Sequence, residues 1–128
     1  MKYLFDTHVL IWGLQDSEEL SALARRLLAS ASPETLALSD ISFLEIAMLV
    51  KTGRIQMEKP VSEVLGLVSD SLSILPIDSL IATESMELDL PQGDPFDRVI
   101  VATARRYGIP LLTRDQQILD SGLVEMIW

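Results

Sequence analysis

Short apolar runs alternate with helical patterns along the whole chain, and this alternation most constrains the fold. Segments between the runs carry apolar residues at helical spacing. Strands joined through helices pair in parallel, and the helices then cover both faces of the sheet. The sequence therefore predicts one α/β domain over residues 1–128 with a mainly parallel central sheet. The predicted strands are residues 2–5, 36–38, 72–77, 109–113 and 124–128.

The ends of the predicted helices carry recognisable signals. Ser21 is an expected N-cap, and Asp94 followed by Pro95 predicts a helix that has proline at its first position. Gly108 is expected to end that helix. The predicted strand 72–77 contains Pro76, which has no backbone N–H to donate, so this strand is expected at an edge of the sheet.

Composition excludes several classes of protein. The 128 residues include no cysteine, which excludes disulfides and thiolate metal sites. Asp6 and His8 interrupt the N-terminal apolar run before it reaches the length of a signal peptide core. No apolar stretch approaches the length of a membrane span. We therefore expect a cytoplasmic protein without membrane association.

The charge balance argues against a polyanionic partner, with nineteen acids against ten bases and a net charge of −9. If four acids share a cation, however, the rest of the surface carries roughly −5, and a nucleic acid could follow a local basic track. Solvated helix faces explain the basic clusters equally well. These clusters are Arg25–Arg26, Lys51 with Arg54 and Lys59, and Arg98 with Arg105–Arg106.

Four carboxylates stand in apolar or helix-starting surroundings, where an uncompensated charge is costly. Asp6 and Asp115 each follow a predicted strand, and the carboxyl ends of parallel strands meet at one edge of the sheet. Glu45, about one turn into its helix, and Asp97, in the first turn of another, can face the same edge. Such a cluster would repel without a cation, and oxygen-only ligands favour Mg²⁺ or Mn²⁺.

Each acid also has a structural interpretation. Asp6 and Asp115 could each cap the helix that follows. Asp94 and Asp97 have the spacing of a capping box, which favours a structural role for Asp94. Glu45 is hardest to explain in this way, because no basic residue lies three or four positions from it.

Other polar and aromatic residues give weaker signals. His8 is the only histidine, so a mechanism with two histidines is excluded, and we expect it to be packed or hydrogen-bonded near the first acid. Ser42 and Thr113 could orient a metal-bound water, although helix-terminus roles are commoner for such residues. Trp12 and Trp128 are expected to fill gaps in the core or face a partner.

The acids belong to a series of motifs that runs nearly from end to end. In this order and spacing, the chain resembles the PIN-domain ribonucleases and, within them, the VapC toxins of bacterial toxin–antitoxin pairs. The motifs are Leu4-Phe5-Asp6-Thr7-His8 with Trp12, Ser42 to Ala47 around Glu45, Gly53-Arg54-Ile55, Leu75-Pro76-Ile77, Asp94-Pro95-Phe96-Asp97-Arg98 leading to Ala102-Thr103-Ala104, and Leu111-Leu112-Thr113-Arg114-Asp115.

The resemblance implies a compact α/β/α sandwich and Mg²⁺- or Mn²⁺-dependent endonucleolytic cleavage of RNA. It further implies a homodimer and a VapB-like antitoxin that wraps the toxin, often with a basic side chain at the acidic site. The chain departs from its relatives at Leu44, where many carry tryptophan, and at Gln92, where many carry histidine. The residues that match the acidic quartet, as catalytic residues and metal ligands, are Asp6, Glu45, Asp97 and Asp115, with Asp94, Ser42 and Thr113 as auxiliary residues.

Two other classes of function remain open. A different Mg²⁺-dependent phosphoryl-transfer enzyme would share the fold class, but a phosphatase of that type needs an early Asp-x-Asp, and position 8 is histidine. A phosphoacceptor domain needs a late lysine, and the last one here is Lys59. A binding module without activity could mimic the acidic pattern through helix caps and one buried glutamate. Phosphate-loop, dinucleotide-binding and nucleophile-elbow motifs are absent from the sequence.

Overall fold

The computed structural model describes residues 1–91 and 94–128, and Gln92 lies outside this described part. Within it, β-strands and α-helices alternate as the sequence predicts. The elements are β1 Tyr3–Phe5, α1 Thr7–Leu14, α2 Ala22–Ala29, β2 Leu36–Ser39, α3 Ile41–Lys51, α4 Val61–Ser71, β3 Ser73–Leu75, α5 Ser79–Glu87, α6 Pro95–Tyr107, β4 Leu111–Leu112, α7 Gln116–Ser121 and β5 Met126–Ile127.

The five strands form one sheet in the order β3-β2-β1-β4-β5, and every neighbouring pair is parallel. β1 is therefore central, and its last residue Phe5 lies opposite Leu38 of β2 and Leu112 of β4. The residues that follow these strands consequently meet at one edge of the sheet. The predicted parallel sheet is confirmed, and so is the edge position of the third strand.

The core is divided between the two faces of the sheet. Leu4 packs in one hydrophobic cluster with Ile100 of α6, whereas its neighbour Phe5 packs in another with Ile46 of α3. Successive strand residues point to opposite faces, so each strand contributes to both clusters. Full burial of each large apolar side chain contributes about 1.5 to 3 kcal/mol. This arrangement confirms the α/β/α sandwich.

Helix ends agree with the sequence, whereas strand lengths differ from the predictions. The Ser21 hydroxyl accepts a hydrogen bond from the Ala24 N–H at 3.0 Å, and Gly108 ends α6 with φ of 63°. The strands expected over 72–77, 109–113 and 124–128 are shorter. Pro76 and Pro110 explain part of this, because neither can donate a backbone hydrogen bond to a neighbouring strand. In the described part of the chain, no helix has both the length and the apolar content needed to cross a membrane.

Candidate functional site

Asp6 stands directly after the central strand and is buried. Its backbone N–H donates to the Leu112 carbonyl at 3.0 Å, which fixes its position between β1 and β4. Its Oδ2 accepts a hydrogen bond from the Thr113 hydroxyl at 2.8 Å, while Oδ1 has no hydrogen-bond partner among the described residues. Asp6 occupies the N-cap position of α1 without a capping hydrogen bond of regular geometry, although the His8 backbone N–H lowers its pKa. Its carboxylate is therefore held chiefly by Thr113 and not by the helix end.

The surroundings of Asp6 disfavour its ionised form. Burial raises the pKa of this carboxyl most strongly, and the charge of Asp115 raises it further. The hydrogen bond from Thr113 and the proximity of His8 lower the pKa, but the net direction is upward. His8 thus lies near Asp6, as the sequence predicts, but its side chain is exposed and not packed as expected.

Glu45 is carried by α3 and is only 3% exposed. Its Oε1 has no hydrogen-bond partner within the described residues. Burial raises its pKa, and the charges of Asp94 and Asp6 add to this effect against a lowering by the Thr7 hydroxyl. No ion pair found in the described segments involves Glu45, which agrees with the lack of a basic neighbour in the sequence.

Ser42 and Thr113 both make buried hydrogen bonds, but only Thr113 contacts acids directly. The Ser42 and Thr7 hydroxyls lie 2.8 Å apart and join α3 to α1. Thr113 donates to Asp6 and accepts a hydrogen bond from the Asp115 N–H at 3.1 Å. Thr113 therefore links two of the acids, whereas Ser42 acts on the helix that carries Glu45.

Asp97 and Asp94 have different environments although only two residues separate them. Burial raises the pKa of Asp97 to about 8, and the charges of Asp6, Asp94, Asp115 and Glu45 contribute in that order. The Asp97 carboxyl therefore lies near all the other acids. Asp94 is exposed, and its Oδ1 accepts the Phe96 N–H at 2.9 Å as the N-cap of α6. The capping role expected for Asp94 is confirmed.

Asp115 is both a helix cap and a member of the acidic cluster. Its Oδ1 accepts hydrogen bonds from Gln117 N–H at 2.8 Å and Ile118 N–H at 3.2 Å. Both bonds use the same oxygen, so the helix does not use Oδ2. Asp115 also raises the pKa values of Asp6 and Asp97, which places its charge at the site.

The acidic cluster fits a divalent cation. It combines oxygen ligands, two buried oxygens without partners and mutual repulsion among its carboxylates, and hard cations such as Mg²⁺ and Mn²⁺ satisfy all three. A small cleft of about 30 Å³ is lined by Asp94, Asp97 and Asp115. Across residues 1–91 and 94–128, however, no three acidic or histidine side chains lie close enough together to hold a metal ion, so binding of three carboxylates to one cation would require them to move.

Two of the three basic clusters predicted from sequence are largely occupied by structural contacts. Arg105 pairs with Glu84 at 2.7 Å, and Arg25 pairs with Asp16 at 2.7 Å. Arg98 donates hydrogen bonds at 2.7 to 3.1 Å to the backbone carbonyls of Ser85, Leu88 and Leu90.

The sequence interpretation missed Arg114. Its guanidinium carbon lies 4.3 Å from the ring centroid of Trp12, and its side chain pairs with Glu19 at 2.6 Å. Trp12 is half-buried and also contacts Trp128, so its expected gap-filling role covers only part of what it does. In the sequence, the indication that Arg114 lies near the site was its position immediately before the candidate acid Asp115.

Comparisons with known proteins agree on one family. The family model described as the PIN domain matches residues 3–121. Ribonuclease VapC22 of Mycobacterium tuberculosis is 33% identical over 116 residues, which cover 90% of this chain and 88% of that protein.

Solved structures share the fold at lower sequence identity. VapBC2 from Rickettsia felis, crystallised with a DNA fragment from its promoter, matches with a TM-score of 0.72 at 16% identity, covering 100% of this chain and 99% of that one. DNA-bound VapBC from Salmonella typhimurium gives 0.72 at 18% identity, with 99% and 97% covered. VapC20 from Mycobacterium tuberculosis, a sarcin–ricin loop cleaving toxin, gives 0.69 at 20% identity, with 97% and 98% covered.

Proposed function

The chain belongs to the PIN-domain family, and from this premise we propose that it is an endoribonuclease toxin of a VapBC-type pair. It hydrolyses RNA phosphodiester bonds. The observation that carries the proposal is that Oδ1 of Asp6 and Oε1 of Glu45 are buried without a partner within the described part of the chain. The charges of Asp6, Glu45 and Asp115 also raise the pKa of Asp97, which supports a common site at the carboxyl edge of the sheet.

The proposed cofactor is Mg²⁺ or Mn²⁺. Asp6, Asp97 and Asp115 would hold the cation, with Glu45 as a further ligand or as a neighbour of the bound water. When bound, a divalent cation polarises a phosphoryl oxygen and lowers the pKa of water. The raised pKa values of Asp6, Glu45 and Asp97 support this role. They mean that the negative charge of each carboxylate is unfavourable where it lies, and a bound cation would compensate that charge.

The protein's own residues orient this chemistry. Thr113 holds Oδ2 of Asp6 and the backbone N–H of Asp115, so the two carboxylates keep a fixed relation. Glu45 keeps Oε1 available to accept a hydrogen bond from an attacking water. Its raised pKa makes it a stronger proton acceptor than an ordinary glutamate. The Thr7–Ser42 contact holds α3 and therefore Glu45 in position.

A binding module with a vestigial site explains less of the structure. Helix capping accounts for Asp94 and for one oxygen of Asp115. It does not account for Asp6, which is held chiefly by Thr113, or for Glu45, which is buried inside a helix. Two uncompensated buried carboxylates are costly in a protein that has no use for them.

We further propose a VapB-like antitoxin as partner. A groove of about 730 Å³ runs between α1, α2 and α4 and would receive an apolar segment of the antitoxin. Its lining includes Leu10, Leu28, Val64 and Leu67, and Leu67 is exposed. The similarity to VapBC complexes from other bacteria supports this assignment.

Domain organisation, oligomeric state and cellular location complete the proposal. We treat residues 1–128 as a single domain, because both core clusters pack on one sheet. A homodimer would bury the exposed apolar side chains of Leu44 and Met48 on α3 and of Leu80 on α5. Cytoplasmic location follows from the proposed RNA substrate and antitoxin.

Cleavage of a labelled single-stranded RNA by metal-stripped protein tests the proposed activity. We expect cleavage after addition of Mg²⁺ or Mn²⁺, none in EDTA, and none with Asp6→Asn. Asp70→Asn is a matched control, because Asp70 is exposed on α4 away from the site and the substitution removes the same charge. Wild-type turnover by Asp6→Asn in Mn²⁺ would refute the assignment of the site.

A further inference from the structure

A cationic and aromatic cluster adjoins the acidic site, and we name it the Arg114 stack. In it the Arg114 guanidinium lies 4.3 Å from the Trp12 ring centroid. Trp12 meets Trp128 edge-on with ring centroids 6.0 Å apart, and His8 lies 6.3 Å from Trp12 in a tilted orientation. Stacking of a guanidinium on an indole is favourable and gives both groups a defined orientation.

Two elements of the proposed active site carry the Arg114 stack. Arg114 lies between Thr113, which donates to Asp6, and Asp115. His8 and Trp12 lie one helical turn apart on α1, which begins immediately after Asp6. One turn of helix rises about 5.4 Å. The distance from the stack to the acids is therefore no more than one or two nucleotides of an RNA strand can span.

Part of the stack remains accessible to a ligand. The Arg114 side chain is 46% exposed and Trp128 is 37% exposed, while His8 is also exposed. A purely structural explanation is that Arg114 only holds its loop in place through the ion pair with Glu19. An exposed ion pair of this kind contributes little, about 0 to 1 kcal/mol, and it does not require the guanidinium to lie over an indole ring.

The chemistry favours a nucleobase over a phosphate as the ligand. Glu19 pairs with Arg114 at 2.6 Å and offsets its charge, which weakens any attraction between Arg114 and a phosphate. That ion pair uses Nη1 at the edge of the guanidinium, so it does not cover the face of the group that points away from Trp12. Unpaired RNA bases stack on arginine planes and on aromatic side chains.

We propose that the Arg114 stack binds an unpaired nucleobase of the RNA beside the scissile phosphate and so positions the substrate. This inference rests on the proposed ribonuclease function and adds a subsite to it. Arg114 and Trp128 form the contact surface, Trp12 supports Arg114 from beneath, and Glu19 fixes the orientation of the guanidinium. The subsite selects single-stranded over duplex RNA, because a paired base has no free face.

Arg114→Lys tests the subsite, because it retains the charge and can retain the pair with Glu19 but loses the planar surface. Arg25→Lys is a matched control. Arg25 has a similar side-chain exposure of 48% and a similar ion pair with Asp16 at 2.7 Å, and it lies on α2 outside the stack. For a single-stranded RNA, we expect Arg114→Lys to raise KM roughly five- to tenfold with kcat nearly unchanged. Arg25→Lys should change neither.

The same oligonucleotide carrying one abasic position at a time identifies the stacked base. At one position next to the cleaved bond, removal of the base should weaken wild-type cleavage as much as Arg114→Lys does. On that abasic RNA, Arg114→Lys should cause no additional loss. Equal effects of Arg114→Lys on every abasic RNA and on the intact RNA would overturn the proposal.

RNA binding measured by fluorescence anisotropy in EDTA separates this inference from the proposed activity. Weaker binding by Arg114→Lys than by Arg25→Lys supports the subsite even if the wild type cleaves nothing. Equal binding by the two variants, with normal metal-dependent cleavage, overturns the subsite and leaves the ribonuclease assignment intact.

Discussion

Removal of the Asp97 charge should stabilise the metal-free protein. Burial and the charges of four neighbouring acids raise the pKa of Asp97 to about 8, from an ordinary value of 3.8. Folding therefore favours the protonated carboxyl. As pH rises from about 4 to about 8, the unfolded chain ionises at this position while the folded chain resists, so the wild type loses stability across that window. Asp97→Asn keeps a neutral side chain of the same shape and avoids the loss.

The expected gain can be estimated from this pKa. The interval between 3.8 and pH 7 corresponds to an upper limit of roughly 4 kcal/mol. Asp97 is half-buried, so solvent screens part of the effect. Neighbouring acids also share the protonation. We therefore expect Asp97→Asn to raise the free energy of unfolding at pH 7 by about 2 kcal/mol, which corresponds to roughly 5 to 10 °C in Tm.

Thermal melts in EDTA at pH 4.5, 6, 7.5 and 9 measure this gain. The difference between Asp97→Asn and wild type should be small at pH 4.5, grow with pH and level off above pH 8. Asp70→Asn serves as control for the loss of one negative charge from an acidic chain. A variant that is less stable than wild type at pH 7.5, or a gain that Asp70→Asn matches, would refute the electrostatic explanation.

Three further variants test individual roles. Glu45→Gln should abolish detectable cleavage yet retain helical circular dichroism, because glutamine preserves shape and helix propensity, and its Tm should be at or above that of wild type because the pKa of Glu45 is raised; unfolding of this variant would instead reveal a structural role. Asp94→Ala should lower stability in melts by about 0.5 to 2 kcal/mol through loss of the N-cap, with only a modest fall in cleavage rate, and an inactive but fully stable variant would reverse the roles of Asp94 and Asp97. Thr113→Val should lower kcat about tenfold or more, since misplaced catalytic groups lose large factors, while KM stays nearly constant; an unchanged kcat would remove Thr113 from the positioning of Asp6.

The sequence was sufficient for the sheet and for the edge at which the acids meet. Residues 2–5 and 36–38 are short, mainly apolar runs of strand length, and parallel pairing brings Asp6 to the same edge as the residues after neighbouring strands. Glu45 was identifiable because a glutamate surrounded by apolar residues lacks a basic partner at helical spacing.

The contacts of individual side chains could not be predicted in the same way. Capping was equally plausible for Asp6 and Asp115, and only the structure shows that Asp115 caps while Asp6 binds Thr113. Arg98 resembled a free surface base, but its hydrogen bonds to backbone carbonyls depend on how α5 and α6 pack. The placement of Arg114 over Trp12 joins residues about a hundred positions apart, and no local pattern encodes that contact.

The central claim is that one cation site, formed by the acidic cluster, is the site of RNA cleavage. A Mn²⁺ titration of metal-stripped wild-type protein, read by initial RNA cleavage rate and by Tm in the same buffer, tests it most directly. Cleavage and thermal stabilisation should rise with the same midpoint, and Asp6→Asn should show neither response. Undiminished cleavage by purified wild type in EDTA, or cleavage that saturates while Tm never responds to Mn²⁺, would contradict the account.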